Sequence, residues 1–100
     1  MIRGTTPTHT FNLPFGVETI KEVRITYQQD NNTVIEKTEA DCTKEGQRIL
    51  VKLTQEETLQ FTEGKQVSIQ LKVLTTSNDV LVSQIAKTNC GKALNEEVLE

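Results

Sequence analysis

The chain has 100 residues, 35% of them hydrophobic, and a formal net charge of −3. This length predicts one domain, residues 1–100, with a modest core that needs no metal or disulfide to hold it together. Lysines and arginines are scattered singly, which argues against binding to nucleic acid or to an anionic membrane through a basic cluster.

The N-terminal "MIRGTTPTHT" lacks the apolar h-region of a secretory signal. No stretch approaches the ~20 consecutive apolar residues that span a bilayer. We therefore expect a protein that is not secreted by a signal peptide and not inserted in a membrane.

The first predicted strand lies in "PTHTFNLPF", residues 7–15. Its apolar side chains share one face and are Phe11, Leu13 and Phe15. Because Pro14 has no N–H to give to a ladder, the strand should lie at the edge of a sheet or end there.

A hairpin is predicted next. "IKEVRITYQQ" has the alternation of a half-buried strand, with Val23, Ile25 and Tyr27 on one face. "DNN" at 30–32 favours a turn, because Asp and Asn side chains bond their own backbone and tolerate left-handed conformations. "TVIEKTE" then resumes the extended pattern as the return strand.

"KEG" at 44–46 predicts another turn, and "RILVKL" after it places Ile49, Val51 and Leu53 on one face. The segment "LTQEETLQFTEG" breaks the alternation. Thr54 and Glu57 have the spacing of a helix capping box, so a short helical turn is predicted here. We expect the chain to cross to a second sheet at this point.

The stretch "VSIQLKVLTTSNDVLVSQI", residues 67–85, predicts a second hairpin around the turn "TTSND". In its return strand Val80, Leu81 and Val82 are consecutive, which is typical of a strand covered on both sides or carrying a bulge. We expect this hairpin to be the central pair of one sheet. "NEEVLE" at the end predicts a short helical turn or a frayed terminus.

Six or seven short strands with frequent turns predict an all-β fold, a small antiparallel immunoglobulin-like β-sandwich with one short helical turn. The predicted inward residues are Val23, Ile25, Ile49, Val51, Leu53, Leu59, Phe61, Val67, Ile69, Leu71 and Val73.

No catalytic, cofactor-binding or metal-ligating residue is predicted, and neither a cofactor nor an enzymatic activity is expected. His9 is the only imidazole, and we expect it to face solvent or lie at a rim. Motifs of nucleophile elbows, phosphate loops and zinc sites do not occur. Cys42 and Cys90 are expected to be small buried hydrophobic residues, with a disulfide or a reactive thiol as alternatives.

Paired carboxylates can cleave glycosidic bonds or hold calcium, and the chain has several. They are Asp30, Glu36, Glu39, Asp41, Glu45, Glu56 and Glu57. Their spacing matches no calcium loop, and a short chain offers no long cleft, so we interpret them as a solvated acidic rim. Glu57 is the exception, since we assign it to the helix cap.

The order of the phrases "IRGTTPTHTFNLPF", "IKEVRITYQQ", "VKLTQEETLQF" and "VSIQLKVLTT" resembles a group of short proteins encoded in prophages of Gram-positive bacteria, among the structural genes of the phage tail. The resemblance covers nearly the whole chain and contains no catalytic signature. It implies a role in the virion or its assembly, in the host cytoplasm during assembly, with the finished particle as a further location.

Two hypotheses follow. The first is a non-enzymatic phage structural, tail or baseplate assembly protein that acts through protein–protein contacts, by self-association or with phage tail proteins. The alternative is a small cytoplasmic binding module directed at a host protein or peptide, which it would hold by strand addition. Neither needs nucleic acid, a membrane or a small-molecule substrate.

Overall fold

Two antiparallel sheets face each other in the computed structural model, which describes residues 1–100. The strands are β1 (Thr8–Asn12), β2 (Ile20–Gln29), β3 (Asn32–Thr38), β4 (Cys42–Glu45), β5 (Arg48–Lys52), β6 (Gln66–Thr75), β7 (Val80–Val82) and β8 (Ala86–Asn89). One helical turn, α1 (Gln55–Thr58), and two 3₁₀ turns, Val17–Thr19 and Glu39–Asp41, complete the regular structure. The predicted antiparallel sandwich is confirmed.

The first sheet has the order β1-β5-β4, and the second has β3-β2-β6 with β7 and β8 both paired to the outer side of β6. This order corresponds to strands B-E-D and C′-C-F-G of an immunoglobulin sandwich. The helical turn lies where the chain crosses between the sheets. An isolated parallel bridge joins Ile2 to Gly91.

The predicted turn between β2 and β3 is confirmed. Asp30 and Asn31 have φ angles of 52° and 64°, and Gln29 pairs directly with Asn32. Two successive left-handed residues are the mark of the type I′ hairpin turn, whose twist matches that of the strands. The side chains of Asp and Asn permit this conformation, which explains why "DNN" stands here.

The core is one cluster of buried hydrophobic side chains from both sheets. Ten of the eleven predicted inward residues are buried. Leu59 is the exception, since it is half-exposed at the end of α1 and the prediction for it was wrong. The turn instead points Thr58 inward, where its hydroxyl donates to the carbonyls of Thr5 and Gln55 at 2.8 and 3.1 Å.

The prediction that the 67–85 hairpin forms a central pair was also wrong. The central pair is β2 and β6, whereas the return strand lies at the sheet edge. The return strand is split into β7 and β8. Ala86 comes four positions after Val82, whereas their partners on β6, Ile69 and Lys72, are only three positions apart. This extra residue is the predicted bulge.

Ser83 produces the interruption between β7 and β8. Its hydroxyl accepts the Leu71 N–H at 3.0 Å, in the place of a backbone carbonyl. The Ser83 carbonyl accepts instead from the side chain of Gln70 at 2.9 Å. The Ser83 N–H still donates to the Leu71 carbonyl at 2.8 Å, so the backbone leaves the ladder after that bond and rejoins it at Ala86.

The cap of α1 is confirmed with both of its reciprocal bonds. Thr54 Oγ1 accepts the Glu57 N–H at 3.2 Å, and Glu57 Oε1 accepts the Thr54 N–H at 2.8 Å. Residues 95–100 form no helical turn. They are held by Arg3, which contacts Glu96 at 2.7 Å, and by Gln55, which exchanges two hydrogen bonds with the Leu99 backbone.

Replacing Thr54 with Ala should lower the free energy of unfolding by about 0.5–2 kcal/mol, because the Glu57 N–H loses its acceptor. Thr54→Ser and Thr54→Asp should regain most of that loss, since both keep a side-chain oxygen at the cap. Urea melts of the four proteins provide the measurement. Equal stability of all three variants would contradict the cap assignment.

Candidate protein-contact site

His9 lies on the inward face of β1, two residues before Phe11, and is half-buried at the rim of the core, one of the two positions expected for it. Its Nδ1 is 2.7 Å from the hydroxyl oxygen of Tyr27 on the opposite sheet. Tyr27 is fully buried, and its ring packs edge-on against Phe61. The pair therefore connects the two sheets inside the sandwich.

The protonation states of this pair follow from burial. Burial, with Cys42 and Glu57 nearby, raises the pKa of Tyr27 well above its ordinary value. Burial also lowers the pKa of His9, and the positive N-terminus adds to that effect. At neutral pH a neutral imidazole therefore faces a protonated phenol, and the imidazole tautomer sets which of the two donates. Because Tyr27 is fully buried, this hydrogen bond has a structural role.

The free energy of unfolding should fall as the pH drops below 6.5, the ordinary pKa of histidine. His9 has a lower pKa in the folded protein, so the unfolded chain binds the proton first and stability is lost on acidification. His9→Asn keeps an acceptor near Tyr27 but cannot titrate. Denaturant melts between about pH 7.5 and 5.5 should therefore show a shallower pH dependence for the variant. Identical slopes would contradict the role of His9.

A second polar pair, near the first, joins the second sheet to α1. Lys37 on β3 faces inward because it pairs with Ile25, and its Nζ contacts Glu57 Oε2 at 2.5 Å. The two side chains are 12% and 21% exposed. Burial alone raises the pKa of Glu57, but Lys37 and the Thr54 N–H outweigh it and hold the pKa below its ordinary value.

The other predicted acidic residues are spread along the surface, as expected for a solvated rim. Four of them lie beside cations: Asp30 beside Lys65, Glu36 and Glu39 beside Arg24, and Glu45 beside Arg48. Asp41 caps the 3₁₀ turn after β3. No group of three or more His, Cys, Asp or Glu side chains is arranged to hold a metal ion. No helix in the protein has the length and apolar character to cross a bilayer.

Both cysteines are free thiols. Cys90 is buried and Cys42 is half-buried. The Cys42 thiol donates to the Thr38 carbonyl at 3.2 Å. Burial raises the pKa of both thiols, so they are protonated at neutral pH and lack the thiolate character of reactive cysteines.

The surface feature that sequence reasoning missed is an exposed apolar edge. Val80, Leu81, Val82 and Ile85 are 56%, 44%, 60% and 56% exposed, and we call residues 80–85 the β7 edge. The second sheet is four strands wide at most, since β7 and β8 follow one another along β6, while the facing sheet has three strands. The facing sheet is therefore too narrow to cover Leu81 on the inner face, while Val80 and Val82 lie on the outer face, which no further layer covers.

An open apolar groove of about 320 Å³ runs beside the β7 edge. One wall is the segment after β1, with Leu13 and Phe15, both half-exposed. The other wall includes Leu71, Val73 and Leu81. The edge and the groove together form one continuous apolar surface.

The backbone of the β7 edge is also open. The Ser83 N–H donates to Leu71 and the Asp79 carbonyl accepts from Thr75, so both of these residues direct their backbone towards β6. Hydrogen-bonding direction alternates along a strand, so the N–H and C=O groups of Val80 and Val82 point away from the sheet. An extended chain added there would find two donors and two acceptors.

The opposite edge of the same sheet is different. β3 carries the polar or charged residues Asn32, Thr33 and Glu36 at exposed positions. Charged and polar side chains are the usual protection of an edge strand against pairing. No ionisable side chain occurs from Val80 to Ala86, so the β7 edge lacks this protection.

Comparison with known proteins gave no match: no family model, no curated protein and no solved structure is similar to this chain.

Proposed function

We propose that this protein is a non-enzymatic assembly protein that acts through protein–protein contacts, made at the β7 edge. The phage tail or baseplate is the setting implied by the resemblance to prophage proteins. The observation that carries the proposal is the coincidence of exposed Val80, Leu81 and Val82 with an unpaired strand backbone.

Both parts of this surface favour contact with protein. Full burial of a Val or Leu side chain stabilises a complex by roughly 1.5–3 kcal/mol, so covering the remaining half of each exposed side chain adds about 1 kcal/mol. The outward N–H and C=O groups of Val80 and Val82 give direction to the contact, as in other cases of strand addition. Apolar area supplies affinity and the backbone supplies register.

The polar groups inside the sandwich support the non-enzymatic part of the proposal. His9 and Tyr27 bond to each other, and Lys37 and Glu57 do the same. Both pairs connect structural elements. The first pair links the two sheets, and the second links β3 to α1.

The experiment is co-purification of the tagged protein with the tail proteins of its own prophage, together with analysis of purified particles. Val82→Lys should reduce recovery of the partner at least about tenfold, because it removes an apolar contact and places at the edge the charged residue that usually protects an edge strand against pairing. Thr43→Lys is the matched control, since Thr43 is exposed on β4, at the edge of the other sheet. It should leave recovery unchanged.

Absence of the protein from particles and from every tail complex would contradict the proposal. In that case expression early in infection, with capture of a host protein through the same edge, would identify the host-directed binding module instead.

A further inference from the structure

We propose that the β7 edge pairs with the β7 edge of a second copy, antiparallel and about a two-fold axis at Leu81. The two five-stranded sheets would become one continuous sheet. This inference rests on the proposed function, because it names a partner for the same surface.

The backbone pattern is self-complementary in this register. The outward groups belong to Val80 and Val82, on either side of Leu81. With Leu81 opposite its own copy, Val80 lies opposite the partner's Val82, and each such pair exchanges two hydrogen bonds. The contact therefore makes four backbone hydrogen bonds and leaves no outward group of β7 unpaired.

The side chains match across the same axis. Val80 and Val82 lie on the outer face in register with Leu74 and Lys72 of β6, so each valine meets the partner's other valine. Leu81 lies on the inner face in register with Val73 and meets its own copy. Both grooves open beside this leucine pair, and the dimer joins the two apolar surfaces.

Charge does not oppose pairing with a second copy in this register. Asp79 is the nearest ionisable residue before the strand, and in this register it lies opposite Ser83 of the second copy. Like charges therefore do not meet, although each chain has a net charge of −3. An interface in which one patch meets itself is the commonest arrangement of soluble dimers.

The small area of the contact predicts a weak dimer. Four side chains that are about half exposed, with the adjoining groove, give a surface of a few hundred Å² per copy. This lies below the ~800 Å² per partner of a standard stable interface. The dimer is therefore weak and reversible in solution, and it is strengthened where other contacts hold copies close together.

Sedimentation equilibrium tests the dimer. The weight-average mass of the intact chain should rise from one chain towards two between about 10 µM and about 1 mM. Val82→Lys should weaken association at least about tenfold, because the lysine meets the partner's Val80, and Thr43→Lys should not. A parent protein that is monomeric throughout, or two variants with equal effects, would overturn the proposal.

Disulfide trapping tests the register. Opposed residues of a non-hydrogen-bonded pair have Cα atoms about 4.5 Å apart, within reach of a disulfide. Leu81→Cys should therefore form a covalent dimer under mild oxidation, and neither Val80→Cys nor Val82→Cys should do so alone. The parent chain is the control, because its own free thiols, Cys42 and Cys90, are present in every variant. Equal trapping of all three variants, or none for Leu81→Cys, would overturn the two-fold register.

The outcomes separate the two proposals. A monomer that still co-purifies with tail proteins, and loses them on Val82→Lys, leaves the proposed function in place and removes the self-pairing. A dimer that has no tail partner and is absent from particles removes the tail assignment and leaves the self-pairing.

Discussion

Phe61→Ala should lower the free energy of unfolding by about 3–5 kcal/mol, the usual cost of deleting a buried Phe side chain. Phe61 is 1% exposed, and its ring meets that of Tyr27 at 6.0 Å in an edge-to-face arrangement. Deletion leaves a cavity between the sheets, where the strands on both sides are fixed by their ladders. The lost ring contact with Tyr27 adds to the cost.

Phe15→Ala is the matched control, since the same group is removed from a half-exposed site beside the groove. It should cost less than about 2 kcal/mol, because less area is returned to water and the site is open. Urea melts at neutral pH measure both values. A loss below about 1 kcal/mol for Phe61→Ala would show that Phe61 is not part of the core.

Gln29→Leu should cost about 2–3 kcal/mol, although it replaces a polar residue with an apolar one of similar size. Gln29 is 6% exposed and continues the inward face of β2. Its amide accepts the Thr62 N–H at 2.7 Å and donates to the carbonyls of Thr62 and Lys65 at 2.9 and 3.3 Å. Leucine leaves these backbone groups without partners, which costs roughly 1–3 kcal/mol for a buried group.

Gln28→Leu makes the same change one position earlier, on the outer face of β2. Gln28 donates only to Thr33 at 3.3 Å, so the expected change is within about 0.5 kcal/mol. The comparison separates the structural role of the Gln29 amide from any general effect of leucine on β2. Similar values for the two variants would mean that Gln29 does not fix the loop before β6.

The predictable part of this fold is the part governed by periodicity. Alternation is unbroken in β6 and, from Val23 onward, in β2, and it places Val23, Ile25, Val67 and Ile69 in the core as expected. The cap at Thr54 was predictable for a similar reason, since a capping box is local and depends on a fixed spacing.

Polar residues on the inward faces were harder to predict. Counting back by two from Phe11 places His9 on the inner face, yet a lone histidine among threonines gives no sign of a buried partner. Lys37 has the same phase as buried Ile35, but its partner Glu57 lies on another element. Pairing between distant segments is not contained in the local pattern.

The return strand shows a second reason why prediction from the sequence was incomplete. A run such as Val80, Leu81 and Val82 is typical of a strand buried on both faces, and it is also what an unprotected edge contains. The difference lies in what covers each face: the facing sheet would have to cover Leu81, and another layer would have to cover Val80 and Val82, and both depend on how all the strands pair.

Hydrogen–deuterium exchange of the 76–86 peptide is the most direct test of contact at the β7 edge. In the dilute free protein the amides of Val80 and Val82 point outward, so they should exchange rapidly, while the Ser83 amide is bonded to Leu71 and exchanges slowly. If the protein assembles with tail proteins or with a second copy as proposed, Val80 and Val82 should become protected in the assembled state and the β3 edge should not change. Unchanged exchange at Val80 and Val82 in an assembled state would contradict contact at this edge.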